Sequence, residues 1–281
     1  MNNFHQKPTS YVNLVALKVA DLDKSTDFYK QIIGFKILSS SDTKVELTAD
    51  GKNPLVVLEL LKNPQGNKQV SSGLYHLALL LPERKYLASF LKHIADLKYP
   101  IGASDHHVSE AIYLNDPDGN GIEIYSDRDS SLWKHMQGNV YMTTKALDVE
   151  SLMTEPYEPW VALPEGTIMG HIHLQVSDLK ASGDFYMKGL GFQLVLPYYK
   201  ALFLSDSGYH HHVALNSWSG THIPKADDNS PGLSYYNIVY GNDAIREKQL
   251  SALKAIGATV VKREDHYLTY DPSGIVIHLS V

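Results

Sequence analysis

The sequence predicts an α+β protein: four βαβββ modules forming two curved mixed sheets with helices outside. Three observations predict it. Leu14–Phe35, LVALKVADLDKSTDFYKQIIGF, aligns without a gap on His171–Phe192, HIHLQVSDLKASGDFYMKGLGF, so that Asp21-Leu22 matches Asp178-Leu179, Phe28-Tyr29 matches Phe185-Tyr186 and Gly34-Phe35 matches Gly191-Phe192. A second pair of copies opens on Gly73-Leu74-Tyr75-His76 and Gly232-Leu233-Ser234-Tyr235 and closes on the turns Asp116-Pro117-Asp118-Gly119 and Asp271-Pro272-Ser273-Gly274. Each copy reads as a strand, a helix and three strands, and internal repeats of this length decide an architecture.

The modules follow in order. The first, 10–61, has a helix that starts near Asp23 as N-cap and ends before Gly34. The second, 73–126, opens with a strand over Leu74–Leu80, and its helix aligns Leu87, Phe90, Leu91, Ile94 and Leu97 on one face. Its last two strands, Ala111–Leu114 and Gly121–Tyr125, are joined by a sharp turn for which Pro117 presets φ and Gly119 supplies a permissive backbone. Strand alternation puts Ile122 and Ile124 on one face and Gly121, Glu123 and Tyr125 on the other. The connector 127–167, with a short helix after Asp148, reads as a spacer between an N-terminal half, 10–126, and a C-terminal half, 168–281. The third module, 168–216, ends in HHHVALN. After a connector over 216–230, the fourth, 231–281, places Leu250, Leu253 and Ile256 along its helix and Gly257 at its end.

The chain has 281 residues, 43% apolar and 20% charged, in the ordinary range of a soluble globular protein. No apolar run approaches the roughly 20 residues that span a bilayer, and the polar start MNNFHQKPTS has no signal-peptide core; a cytoplasmic protein is expected. The net charge of −6, without a basic block, argues against a nucleic-acid partner. There is no cysteine, which excludes disulfides, thiolate catalysis and Cys-ligated metals. Fourteen histidines are present, with a triple at His210-His211-His212 and a pair at His106-His107.

The repeat allows equivalent positions to be compared. On the first strand of modules one to four stand Leu14, His76, His171 and Tyr235; on the last strand after the Asp-Pro turn stand Glu123 in module two and His278 in module four. Two histidines and a carboxylate on one face hold a metal and leave positions open for substrate and O₂. Modules one and two are a ligand short, modules three and four lack a carboxylate, and modules one and four offer only Leu14, Tyr235 and His278. Modules two and three supply His76, His171 and Glu123. The ligands therefore require modules two and three to share one cavity and modules one and four to pair as a mostly structural half.

At these residues the chain resembles the vicinal oxygen chelate superfamily and, within it, the extradiol ring-cleaving dioxygenases of the catechol 2,3-dioxygenase type. The motifs are His171-x-x-Leu174-x-Val176-x-Asp178 with Phe185-Tyr186 and Leu190-Gly191-Phe192, and the segment from Tyr113 to Glu123, in which a tyrosine precedes the ligand glutamate by ten residues. One departure stands out: common two-domain members take their iron ligands from modules three and four, where this chain has Tyr235 and His278.

The resemblance implies a mononuclear Fe(II) site, with Mn(II) the alternative, that inserts O₂ into catechol-type diols or hydroquinones, in the catabolism of aromatic compounds. It implies that His211, in the context His-Val-Ala-apolar, is the acid–base group, that Tyr113 bonds the bound phenolic oxygen, and that His106, with His107 as the alternative, stabilises developing charge. Trp218, in the connector that leaves the His211 strand, is expected to wall the pocket for a flat aromatic ring. Two other functions share the architecture: a glyoxalase-type metal-dependent isomerase or lyase, whose sites usually carry a second acidic ligand, and a non-catalytic small-molecule-binding resistance protein, which needs no triad. Self-association into a homo-oligomer is left open.

Overall fold

A computed structural model describes residues 3–65, 70–136 and 138–281. The first module comprises β1 (Tyr11–Val19), α1 (Leu22–Phe28), β2 (Lys36–Ser40), β3 (Lys44–Thr48) and β4 (Pro54–Leu60), and the second β5 (Gly73–Leu80), α2 (Arg84–Asp96), β6 (Gly102–Asp105), β7 (Ser109–Asn115) and β8 (Gly121–Asp127). The connector holds β9 (His135–Met136), β10 (Asn139–Val140), β11 (Lys145–Ala146) and α3 (Val149–Leu152). The third module comprises β12 (Ile168–Gln175), α4 (Leu179–Asp184), β13 (Gln193–Tyr198), β14 (Ala201–Ser205) and β15 (Val213–Asn216), and the fourth β16 (Gly232–Val239), α5 (Asp243–Ala255), β17 (Val260–Lys262), β18 (Tyr267–Tyr270) and β19 (Val276–Ser280).

Local chemistry sets the helix ends. Asp21, not Asp23, caps α1: its extended backbone lets its carboxylate accept the Lys24 N–H, as Asp178 accepts that of Ala181 at α4. Asp23 lies inside the first turn, where its charge faces the positive end of the helix. Both short helices then widen into a π-helical turn, over Tyr29–Ile33 and Phe185–Gly189. Gly34 ends the first at φ 98°, and Leu163 and Trp160 pack where a Cβ would stand. In α2, Leu87, Phe90, Leu91 and Ile94 are buried as their spacing predicts, whereas Leu97 lies past the last turn and is exposed; Ile256 does the same after α5.

The modules pair across the chain. Modules four and one form an eight-stranded sheet in the order β17-β18-β19-β16-β1-β4-β3-β2, and modules two and three a nine-stranded sheet, β11-β6-β7-β8-β5-β12-β15-β14-β13. At each centre the two first strands run antiparallel, β1 with β16 and β5 with β12, each flanked by parallel strands. Both seams carry bulges at equivalent places: Asn13 and Ser234 are skipped in one register, Gly170 and Tyr75 in the other.

One apolar core spans both sheets and their helices. Buried hydrogen bonds link modules of one sheet to modules of the other, two of them ending on aspartates. Tyr29 donates its hydroxyl to Asp116 at 3.2 Å, and Tyr186 to Asp271 at 3.5 Å. Each aspartate also gathers backbone N–H groups of its own Asp-Pro turn, from Asp118 and Asn120 in one and Ser273 and Ile275 in the other. No helix among the described residues is long and apolar enough to cross a membrane.

Burial pushes the Asp271 carboxyl up from 3.8 to about 6, against the backbone bonds that favour its charge. A carboxyl raised on folding contributes stability that is complete below its unfolded value and is lost as pH rises through its folded value. Asp271→Asn keeps the acceptor without the charge. Its stability relative to the parent is expected to improve between about pH 4 and pH 7, by up to about 3 kcal/mol, in urea unfolding followed across that range. A pH-independent difference would refute the assignment.

Candidate metal centre and its cavity

Three adjacent strands of the second sheet carry the three expected ligands. Across β8, β5 and β12, Glu123 lies beside Ala78 and Ala78 beside His171. His76 stands two residues before Ala78 on the same face. The small Ala78 side chain leaves the space into which the other three converge. His76 Nε2 lies 3.0 Å from Glu123 Oε2, His171 Nε2 lies 3.2 Å from the same oxygen, and the two Nε2 atoms are 3.4 Å apart. Donors about 2.1 Å from one ion on mutually perpendicular bonds stand about 3 Å from one another, so the spacing fits one face of an octahedral ion. The donors, two imidazoles and a carboxylate, suit a divalent transition metal. The described residues offer one such group. Glu123 is buried, which rules out a solvated outer face.

Burial alone would raise the Glu123 carboxyl, but the charge and hydrogen bonds of His171 and His76 outweigh it and hold the group well below the carboxylate range. Burial pushes His171 down to about 4 against the pull of Glu123. At neutral pH the site therefore presents an anion and an unprotonated imidazole, the state that accepts a cation. In the other sheet, Tyr235 stacks on His278 at 4.0 Å and Leu14 stands where His171 would.

His76 and Glu123 line a cavity of about 520 Å³, with the buried His171 beside them. Tyr113 is paired directly with Glu123 across the β7–β8 hairpin, so a spacing of ten residues in sequence becomes adjacency on one face. Burial and the Glu123 charge raise the Tyr113 phenol well above its usual value, keeping it protonated. Its hydroxyl is 2.6 Å from His106 Nε2, and His106 Nδ1 is 2.8 Å from the Thr143 carbonyl. A carbonyl only accepts, so His106 donates from Nδ1 and accepts the Tyr113 proton at Nε2. His107 turns away at φ 67° and packs against Tyr141. His211 lines the cavity with its ring 4.1 Å from that of His171. His210 and His212 bond elsewhere, to Asp127 and to the Phe4 carbonyl. Trp218 borders the cavity with Tyr75 and His173, its indole N–H fixed to the Tyr199 carbonyl.

The structure corrects a further expectation and adds residues. The connector 127–167 is not a mere spacer: β11 extends the sheet beside β6, and Met142, Thr143 and Thr144 close one side of the cavity. A segment without repeat partners carries no periodic signal, so the sequence hid this. His173 shares the face of His171 by simple alternation, and that signal was available. Tyr75 was not legible, because alternation turns it away from His76; the bulge that skips it in the β5–β12 register brings both to the cavity.

A model of the glyoxalase/bleomycin resistance protein/dioxygenase superfamily matches residues 11–124 and 168–279. The chain belongs to this superfamily. Among curated relatives of the superfamily member, catechol-2,3-dioxygenase of Bacillus subtilis (strain 168) is 42% identical over 279 residues, covering 97% of this chain and 96% of the relative. Among solved structures, a candidate dioxygenase from Bacillus subtilis subsp. subtilis str. 168 has a TM-score of 0.68 at 12% identity, over 97% of this chain and 85% of that one. Glyoxalase I from Zea mays has a TM-score of 0.55 at 16% identity, over 96% and 92%. At such identities these two likenesses concern the superfamily fold alone.

Gly121 lies at the start of β8 against β5, where a Cβ would overlap the Tyr75 carbonyl oxygen and stand 3.0 Å from the Cβ of His76. Gly121→Ala should push β8 off β5 beside the triad and destabilise the protein by roughly 1–3 kcal/mol, measured by chemical denaturation. Unchanged stability would mean that the two strands are less tightly apposed than described.

Proposed function

We propose that the protein is an extradiol ring-cleaving dioxygenase that acts on catechol-type diols or hydroquinones at a metal held by His76, Glu123 and His171. The observation that carries this reading is the buried triad opening into an aromatic-walled cavity. The 42% identity to a catechol-2,3-dioxygenase over almost the whole chain supports it independently. Fe(II), or Mn(II) in its place, would supply Lewis acidity toward the diol and the electronic link between diol and O₂.

The chain's own residues do the rest. Tyr113, a phenol kept protonated by burial and by Glu123 and accepted by His106, holds the diol oxygen nearest the triad and aligns the ring. His211, on the opposite side of the triad, takes the proton of the second hydroxyl and later returns it. His106 takes up polarity that develops on Tyr113 and the substrate oxygen through the 2.6 Å bond. Leu196, Phe203 and Trp218 flank the ring and exclude water. The glyoxalase-type alternative is less well supported, since no second carboxylate joins the triad among the described residues.

Reconstitution with Fe(II) under nitrogen, followed by catechol-dependent O₂ uptake and ring-cleavage product absorbance, tests the reading. Alanine at His76, Glu123 or His171 should abolish stoichiometric metal binding and turnover, while alanine at Tyr235 or His278 leaves metal content unchanged. Metal retained without the triad would overturn the site.

His211→Ala should keep its metal and lose roughly 10²–10⁴-fold in kcat; full activity would move the acid–base role to another group. Trp218→Ala should raise KM for catechol at unchanged metal content. If only Tm falls, Trp218 is packing.

A further inference from the structure

Behind His211 lies a chain of buried groups that the reaction described above does not use. His211 Nδ1 is 2.8 Å from His210 Nδ1, and His210 Nε2 is 2.9 Å from Asp127 Oδ1. The other Asp127 oxygen accepts the Tyr209 hydroxyl at 3.0 Å, and Tyr209 bonds Tyr125 at 2.8 Å. His210 has no solvent exposure, and its ring packs at a tilt against those of Tyr209 and Trp133. Asp127 ends β8, on the same face and four residues after Glu123, so one strand presents both a triad ligand and the far end of this chain.

The polarity of the chain follows from donor and acceptor chemistry. A carboxylate only accepts, so His210 carries a proton on Nε2. A neutral imidazole then has an unprotonated Nδ1. Two nitrogens 2.8 Å apart share one hydrogen, and with His210 neutral it belongs to His211 Nδ1. That leaves His211 Nε2 with its lone pair free, and it is the nitrogen not engaged by His210 on a ring that lines the cavity.

We propose that Asp127 and His210 form a relay of hydrogen bonds that locks His211 as the Nδ1–H tautomer, so that its basic Nε2 faces the substrate before the substrate arrives. His210 is thus a positioning residue acting through His211, with Asp127 as its anchor. When Nε2 takes up a diol proton, the Nδ1–H of the resulting cation is already directed toward His210 and the Asp127 carboxylate. The catalytic consequence rests on the dioxygenase reading, but the tautomer does not.

Nitrogen-15 histidine labelling, with long-range proton–nitrogen correlation on the metal-free and Zn(II)-loaded protein, reads the tautomer directly; His211→Gln assigns the signals. The expected result for the parent is a pyrrole-type Nδ1 and a pyridine-type Nε2 at His211. Asp127→Asn places an amide donor opposite His210 Nε2 while its carbonyl can still accept from Tyr209, which reverses the chain. The His211 population should move toward Nε2–H by about tenfold or more, with kcat on the Fe(II) enzyme reduced roughly 10–100-fold and KM little changed. His210→Phe, which removes the acceptor, should give averaged signals from both tautomers. An Nε2–H His211 in the parent overturns the proposal, as does a tautomer unmoved by Asp127→Asn; the parent spectrum decides even if a variant fails to fold. An Nδ1–H His211 in a protein that consumes no O₂ with catechol would instead sink the dioxygenase reading and leave the relay standing.

Discussion

The antiparallel seam between β5 and β12 is the constraint on which the rest depends. The two strands are far apart in sequence, yet their register puts His171 beside Ala78 and His173 beside His76. Parallel addition of β8 then brings Glu123 to the other side of Ala78. A slip of one residue would turn every one of these side chains to the opposite face. The bulges at Gly170 and Tyr75 pin the register, and Gly170 itself has no room for a side chain because Tyr125 packs against it. The geometry of the triad is thus a property of backbone pairing.

The same scaffold is built twice and used differently. Bulges, capped helices and π-helical turns recur in both pairs of modules, and a tyrosine–aspartate link between the pairs occurs twice. At the triad positions the sheet of modules one and four carries Leu14, Tyr235 and His278 instead. The links matter because each joins a module of one sheet to a module of the other: Tyr29 of module one to Asp116 of module two, and Tyr186 of module three to Asp271 of module four. Chain neighbours are therefore held together by buried polar bonds, while sheet partners are held by strand pairing. Breaking a single link would leave a buried carboxylate short of a donor, a cost that keeps such networks all-or-none.

Around the cavity, burial does most of the electrostatic work. It keeps Tyr113 protonated and His171 and His211 unprotonated, so donors and acceptors are sorted before anything binds. Hydrogen bonds to groups of fixed polarity complete the sorting: the Thr143 carbonyl orients His106 from the connector, and Asp127 sits at the end of the chain that reaches His211. A cavity arranged in this way has little reorganisation left to do when a ligand enters.

The sequence by itself determined the four modules, since periodicity, caps and Asp-Pro turns are local and were repeated often enough to be read twice. It also determined that only modules two and three could supply a complete triad, because equivalent positions in a repeat must face alike. It did not determine which of the neighbouring histidines faces the cavity: His106 and His107 are separated by a left-handed backbone at His107, and the roles of His210, His211 and His212 follow from partners on β8 and near the N-terminus. Tyr75, Thr143 and Asp127 were decided by the tertiary structure alone. A bulge breaks the alternation that would have hidden Tyr75, a connector without periodicity returns Thr143 to the site, and a buried imidazole selects Asp127 as its partner. Each of these depends on long-range register, which no local pattern of residues encodes.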